Sequence, residues 1–238
     1  MDDLYSLLES AESSDDYRQI LEHLRWARGF CCYRCGQGEA YRCQPRQLMQ
    51  CKGCGLQISA TSGTVLHGVR DLKTWVEAIL SMLDEDSMST VSVSVLFHRG
   101  YVTSWFMMQK IRIVLGEFLH CRPEPIELSS QSVDLHCSAL DQALFKASSG
   151  DTQAIPDISS PISSAGIEAA RWILAFLLGT FNGVSRKYSQ LYAFEYSLRK
   201  NRARIEPLAL LSFFVRGSPT DREQVVRYVS PYIIRFEH

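Results

Sequence analysis

Apolar residues recur at helical spacing along much of the chain, and the polar breaks between them mark where elements begin and end. Leu4, Leu7 and Leu8 make one apolar face. Ser13, Ser14, Asp15 and Asp16 interrupt it and supply capping side chains for a second helix carrying Ile20, Leu21, Leu24 and Trp26. Gly29 ends that helix, so residues 3 to 28 are predicted to be helical, with Trp26 packing inward. Leu48, Gln50, Leu56 and Ile58 suit short strands. Thr61-Ser62-Gly63-Thr64 reads as a turn, and Leu72 to Leu83 as an amphipathic helix with Trp75, Ala78, Ile79 and Met82 on one side. Asp84, Glu85 and Asp86 form an acidic loop. Ser89 is placed to cap a helix through Leu96, although Val91, Val93 and Val95 weaken the helical pattern because β-branching restricts χ1. After a turn at His98, Arg99 and Gly100, residues 102 to 118 form a further helix. Its pattern buries Trp105, Met108, Ile111 and Leu115 and exposes Thr103, Ser104, Gln109, Lys110 and Arg112.

The cysteines change this picture. Cys32 and Cys35 stand two residues apart, and Cys51 and Cys54 repeat the spacing, followed by Gly55. Two such turns can aim four thiolates at one point, which is the donor set of a closed structural zinc site. Gly36, Gly53 and Gly55 suit the turns because glycine reaches positive φ without a Cβ clash. Cys31 or Cys43 could replace a ligand if the register slipped. Cys32 and Cys35 are preferred because their spacing matches the second pair. No histidine or water position is built in, so the site reads as structural rather than catalytic. Zinc is the expected cofactor.

The 238 residues suffice for one large domain or two to three small ones. The net charge of −1 hides an uneven distribution. The first 24 residues carry Asp2, Asp3, Glu9, Glu12, Asp15, Asp16 and Glu22 against Arg18, whereas residues 171 to 238 are rich in Arg and Lys. An acidic N-terminus without an apolar core predicts no signal peptide. The most apolar stretch, Ile167 to Phe181, contains Glu168 and Arg171 and is too short and charged to span a bilayer. Cysteines at zinc spacing fit a reducing compartment. The expectation is a cytoplasmic, nucleoid-associated protein with no membrane partner.

Residues 88 to 118 read as a helix-turn-helix. A recognition helix needs small polar residues near its start to reach base edges, and cations to meet phosphates. Thr103, Ser104, Gln109, Lys110 and Arg112 are the candidate contacts to double-stranded DNA. Helix pairs of this kind also occur in helical domains that bind no DNA.

The run Arg25-Trp26…Gly29-Phe30-Cys31-Cys32-Tyr33-Arg34-Cys35-Gly36, then Gln50-Cys51-Lys52-Gly53-Cys54, then Ile58-Ser-Ala-Thr-Ser-Gly-Thr-Val65, then Leu72-Lys-Thr-Trp75 resembles one family. It is similar to the N-terminal half of bacterial insertion-sequence transposases that bear a zinc ribbon, the ISXO-like group. Met88-Ser-Thr90…Tyr101-Val-Thr-Ser-Trp105…Lys110-Ile-Arg112 continues the likeness, which covers roughly residues 17 to 118. The resemblance implies recognition of terminal inverted repeats by this half. It resumes at Leu178-Gly-Thr-Phe-Asn-Gly-Val-Ser-Arg-Lys-Tyr188, at Tyr192…Phe194-Glu195 and at Arg199…Asn201-Arg202.

In that family a ribonuclease-H-like catalytic core lies between the two regions. Here Ser129 and Ser130 stand where its first aspartate is expected, beside Ile126-Glu127-Leu128, and Glu168 falls near the place of its last glutamate. About forty residues separate Ile126 from Glu168, whereas such a core needs on the order of a hundred. Most of the catalytic core is therefore expected to be missing. Asp134, Asp141, Asp151 and Asp157 lie in a Ser-rich stretch and read as solvated loop and cap acids, not as carboxylates holding two cations.

These readings combine into a mainly α chain with a small β zinc ribbon. It runs as N-terminal helices (1–30), zinc ribbon (31–66), helix-turn-helix (67–122), linker or degenerate core segment (123–165) and a C-terminal helical remnant of a ribonuclease-H-like core (166–238). The expected function is that of a transposase-derived DNA-binding protein without transposition chemistry, in which Arg186 and Lys187 add backbone contacts. A homodimer or the parent transposase is a possible partner. One alternative is a shortened, magnesium-dependent DNA-cleaving transposase. Another is a zinc-ribbon module that binds protein.

Overall fold

The structure, a computed structural model, describes residues 2–84, 88–121 and 188–228 (218 excepted), together with 133–134, 172–173, 175–177, 179–181, 184 and 235–236. The chain divides into two compact units, Met1–Leu80 with Glu206–Asp221, and Ser81–Ile205 with Arg222–His238. This division regroups the consecutive segments expected from the sequence. The helix at 72–80 belongs to the first unit, and the chain returns to that unit at Glu206.

The first unit begins with α1 (Asp2–Glu9) and α2 (Ser14–Trp26). Ser13 caps α2 through a capping box: its side chain accepts from the Asp16 N–H, and the Asp16 carboxylate accepts from the Ser13 N–H at 2.8 Å. Gly29, at φ +93°, ends the helix by donating to the Trp26 carbonyl. Then come three antiparallel strands in the order β1 (Ala40–Cys43), β2 (Leu48–Cys51) and β3 (Gln57–Ile58). Ala40 pairs with Cys51, and Met49 pairs with Ile58. The strand β1 was not foreseen, because Tyr41 and Arg42 are both exposed and give no alternating apolar signal.

Arg25 anchors the chain after β3 by donating from Nη1 to the Ser59 and Ala60 carbonyls at 3.0 and 2.8 Å. The turn that follows is tied by its own hydroxyls. Thr64 Oγ1 donates to the Thr61 carbonyl and accepts from the Leu66 N–H, and Val65 and Leu66 are buried just beyond it. The helix α3 (Leu72–Leu80) and a later helix, Pro207–Phe214, both pack on α2 or on each other around Ile20, Leu21, Val76, Ile79, Leu208 and Leu211.

The second unit opens on a 3₁₀ turn at Ser81–Leu83, followed by α4 (Thr90–Leu96) and α5 (Tyr101–His120). Ser89 caps α4 by accepting from the Ser92 N–H at 3.1 Å. His98, at φ 50°, turns the chain into α5. Later come α6 (Ser189–Lys200), α7 (the Pro207–Phe214 helix of the first unit) and α8 (Arg222–Val226). A two-residue ladder joins β4 (Val133–Asp134) to β5 (Arg235–Phe236).

The helices α5 and α6 form the centre of the second unit. Trp105 meets Tyr188, Gln109 meets Tyr192 and Arg112 meets Glu195. The sequence separation is 83 in the latter two contacts, so the helices run parallel. They approach closely at Gly116, where a Cβ would lie 2.3 Å from Phe194 Cε2. Ile113, Leu191, Phe194 and Val225 form an apolar cluster beside this seam.

Candidate metal centre and the α4–α5 region

Two turns present the four thiols. One spans Cys32–Gly36, closed by the Gly36 N–H donating to the Cys32 carbonyl at 2.8 Å. The other spans Cys51–Gly55, closed by the Gly55 N–H donating to the Cys51 carbonyl at 3.0 Å. Gly36 and Gly55 sit at φ +74° and +68°, conformations that a Cβ would strain. The Cys32 N–H donates to the Gln37 carbonyl and the Cys51 N–H to the Leu56 carbonyl, so each turn is fastened to the segment leading into the next strand.

This brings Cys32, Cys35, Cys51 and Cys54 together, with all four Sγ atoms within 4.8 Å of one another. Cys32 Sγ lies 3.6 Å from Cys54 Sγ, and Cys35 Sγ lies 3.5 Å from Cys51 Sγ. A tetrahedral ion with metal–sulfur bonds of about 2.3 Å separates its ligands by about 3.8 Å, so the four thiols are positioned to hold a metal ion. The inner pair, Cys32 and Cys51, is buried and packs with Ile58 against Trp26, Phe30 and Leu56. Cys31 is exposed and outside the cluster, and Cys43 faces the Gln50 side-chain oxygen at 3.7 Å.

The protons of this cluster are unevenly held. Burial opposes ionisation of Cys32, but the backbone N–H groups of Cys35 and Arg34 and the neighbouring thiols prevail and draw its pKa down to about 6. At Cys35 the Gln37 N–H favours the thiolate, yet the Cys51 thiol and burial outweigh it and push the pKa up to about 12. A metal ion takes cysteine as thiolate, so loading this site releases protons.

The segment that carries the metal centre is cationic. Between residues 28 and 70 the charged side chains are Arg28, Arg34, Arg42, Arg46, Lys52 and Arg70 against Glu39 alone. All are exposed. Arg42 pairs with Glu22 at 2.8 Å, and Lys52 with Glu39 at 3.0 Å. Arg28, Arg34, Arg46 and Arg70 make no ion pair among the described residues. This concentration was missed in reading the sequence, although counting charges within the ribbon segment rather than across the termini finds it.

The α5 residues read as DNA contacts fare differently. Thr103 is exposed and Lys110 is partly exposed. Ser104, Gln109 and Arg112 are each 0 % exposed, so the expected exposure of this face of α5 is corrected at these three positions. The reason is that α5 is covered on more than one side, being buried at 107–109 and throughout 111–116. Gln109 and Arg112 meet partners on α6, whereas Ser104 Oγ is buried without a hydrogen-bond partner among the described residues. Arg112 Nε donates to Glu195 Oε2 at 2.7 Å, and Arg199 donates to Glu195 Oε1 at 3.1 Å and to the Asp84 carbonyl at 2.8 Å. Arg112 also lies over the Tyr192 ring, 4.1 Å from its centroid, and Gln109 donates to the Tyr192 hydroxyl at 3.3 Å.

Arg186 and Lys187 lie outside the described residues, as do Ser129, Ser130, Asp141, Asp151, Asp157 and Glu168. Asp134 is on β4. No helix among the described residues is long and apolar enough to cross a membrane.

Comparison with known proteins adds one finding and two absences. No curated protein and no solved structure matches the chain. Residues 12–57, from the α2 capping box to β3 and including all four converging cysteines, match the family model of the transposase zinc-ribbon domain, which supports a transposase-related protein.

Proposed function

We propose that this chain is a transposase-derived, zinc-dependent DNA-binding protein that retains the recognition half of such an enzyme without its chemistry. The observation that carries the reading is the convergence of four thiols inside a segment that matches a transposase zinc-ribbon domain. Zinc is the ion this donor set suits, because four soft thiolates at tetrahedral spacing leave no open position. The ion's role is structural: it fixes the two turns, one of which carries Arg34 and the other Lys52, within the cationic segment.

That segment supplies the electrostatic part of DNA binding. Exposed Arg28, Arg34, Arg46 and Arg70 are available to phosphates, and binding through them releases counterions. The pair α4 and α5, joined at His98–Gly100, acts as a helix-turn-helix, with Thr103 and Lys110 the members of the expected contact set that retain exposure. Arg186 and Lys187 would add backbone contacts. The likeness to the ISXO-like transposases, interrupted where the catalytic core should stand, favours occupation of an element's inverted repeats. In such a role the chain would repress the parent element or serve as a regulator.

The test is a gel-shift and footprinting series with zinc-loaded protein on duplex carrying the sequence flanking its own gene, across a range of salt. Affinity should fall steeply with salt, and Arg34→Ala with Arg46→Ala should reduce the slope by roughly one per phosphate contact removed. A flat slope would instead favour a protein-binding module. Magnesium-dependent strand cleavage would overturn the absence of chemistry.

A further inference from the structure

The second unit holds a cavity of about 250 Å³ at the junction of α4, α5 and α6. Its walls are aromatic: Tyr101, Trp105, Phe181, Tyr188 and Tyr192. Ser89 and Thr90 add hydroxyls at the start of α4. Among the described residues its lining carries no charge. Tyr101, at the entrance, is 55 % exposed, whereas Tyr192 is 4 % exposed.

The lining rings brace one another. Trp105 and Tyr188 meet edge to face at 5.2 Å, and Phe181 and Tyr192 do so at 4.6 Å. Arg112 and Gln109 fix Tyr192 from its ring face and its hydroxyl. A site built this rigidly selects by shape. Its volume lies below the roughly 300–1,000 Å³ of drug-sized pockets, so it has room for a ring system rather than a chain. Five hydroxyl-bearing side chains line it (Ser89, Thr90, Tyr101, Tyr188 and Tyr192), so the lining mixes ring faces with polar atoms. Among the described residues the lining offers rings and hydroxyls rather than a cation to meet a phosphate. What fits is a flat, uncharged ring with polar atoms on its edge.

We propose that this cavity binds a single unstacked nucleobase, an extrahelical base in the DNA held by the rest of the chain. The inference rests on the DNA-binding reading above and goes beyond it in naming what the second unit takes from the strand. Aromatic faces bind bases by stacking with little sequence preference, and the cost of unstacking is smallest where the base is already unpaired.

The experiment compares two duplexes of one sequence, fully paired or with one extrahelical adenine, by fluorescence anisotropy with the full chain. The extrahelical base should tighten binding about tenfold or more. Tyr101→Ala, at an exposed position that leaves the fold intact, should remove that preference while keeping affinity for the paired duplex. Free deoxyadenosine is titrated in parallel, with the tryptophan emission of wild type and Trp105→Phe read out. Equal binding of both duplexes, with no response to deoxyadenosine, overturns the base site and leaves DNA binding standing. A Trp105-dependent response to deoxyadenosine without binding of either duplex supports the base site and overturns the DNA-binding reading instead. Concentration-dependent dimerisation that Tyr101→Ala abolishes would assign the cavity to a second copy and overturn the proposal.

Discussion

Each thiol of the ribbon is replaceable only at the expense of the whole centre, because a closed tetrahedral site has no spare ligand. Cys51→Ser should therefore abolish stoichiometric zinc, measured by elemental analysis, and remove the cooperative thermal transition of the first unit. Structural zinc contributes apparent energies of about 10–16 kcal/mol in small zinc domains, so the effect should be large. Cys31→Ser and Cys43→Ser should retain the ion, since neither sulfur joins the cluster. Loss of zinc in Cys43→Ser would sink this ligand assignment.

A pH effect belongs to the same scale. Asp16 is held below its ordinary value of 3.8, first by the Ser13 hydroxyl and then by the N–H groups of Ser13 and Glu12. A depressed carboxylate stabilises the fold at pH values above its unfolded pKa, and that contribution is lost as pH falls through the folded pKa. Acid below about pH 4 should thus loosen the start of α2 in wild type. Asp16→Asn should remove this part of the acid response, read by far-ultraviolet circular dichroism from pH 5 to 2. An unchanged acid profile in that variant would count against the capping box as its source.

At the scale of elements, the α5–α6 seam sets the outcome of two substitutions that sequence rules misjudge. Gly116→Ala should gain about 1 kcal/mol of helix propensity. Yet its Cβ would stand 2.3 Å from Phe194, which is 1 % exposed and has little room to move. A net loss of about 1–3 kcal/mol is expected in denaturant unfolding, partly restored by adding Phe194→Leu, because neighbouring residues couple. The second substitution concerns Glu195, which serves two arginines. Glu195→Gln should destabilise more than Arg112→Met, since it leaves two buried guanidinium groups without a counter-charge rather than one carboxylate with a remaining partner. Losses of about 3–5 kcal/mol are expected for Glu195→Gln. If Arg112 touched DNA instead, Arg112→Met would lower DNA affinity with stability unchanged.

For the whole molecule, much of the local structure was legible in the residues. The capped start of α2 at Ser13, its end at Gly29, the cap of α4 at Ser89 and the turn at His98–Gly100 all stand where expected. These features depend on interactions within a few residues, so the order of residues is enough to specify them. The paired Cys-x-x-Cys spacing belongs to the same class: each turn is local, and two turns with matching geometry have one simple way to share an ion.

Tertiary structure decided the rest. Whether Ser104, Gln109 and Arg112 face water or protein depends on α6, more than eighty residues further along, and no periodicity within α5 reports that second neighbour. A polar face on a helix can equally be solvated or matched by a buried partner, and only the arrival of Glu195 and Tyr192 distinguishes the two. The return of α7 to the first unit and the aromatic cavity of the second arise in the same way, from residues distant in sequence whose meeting is set by burial of apolar surface rather than by any short-range rule.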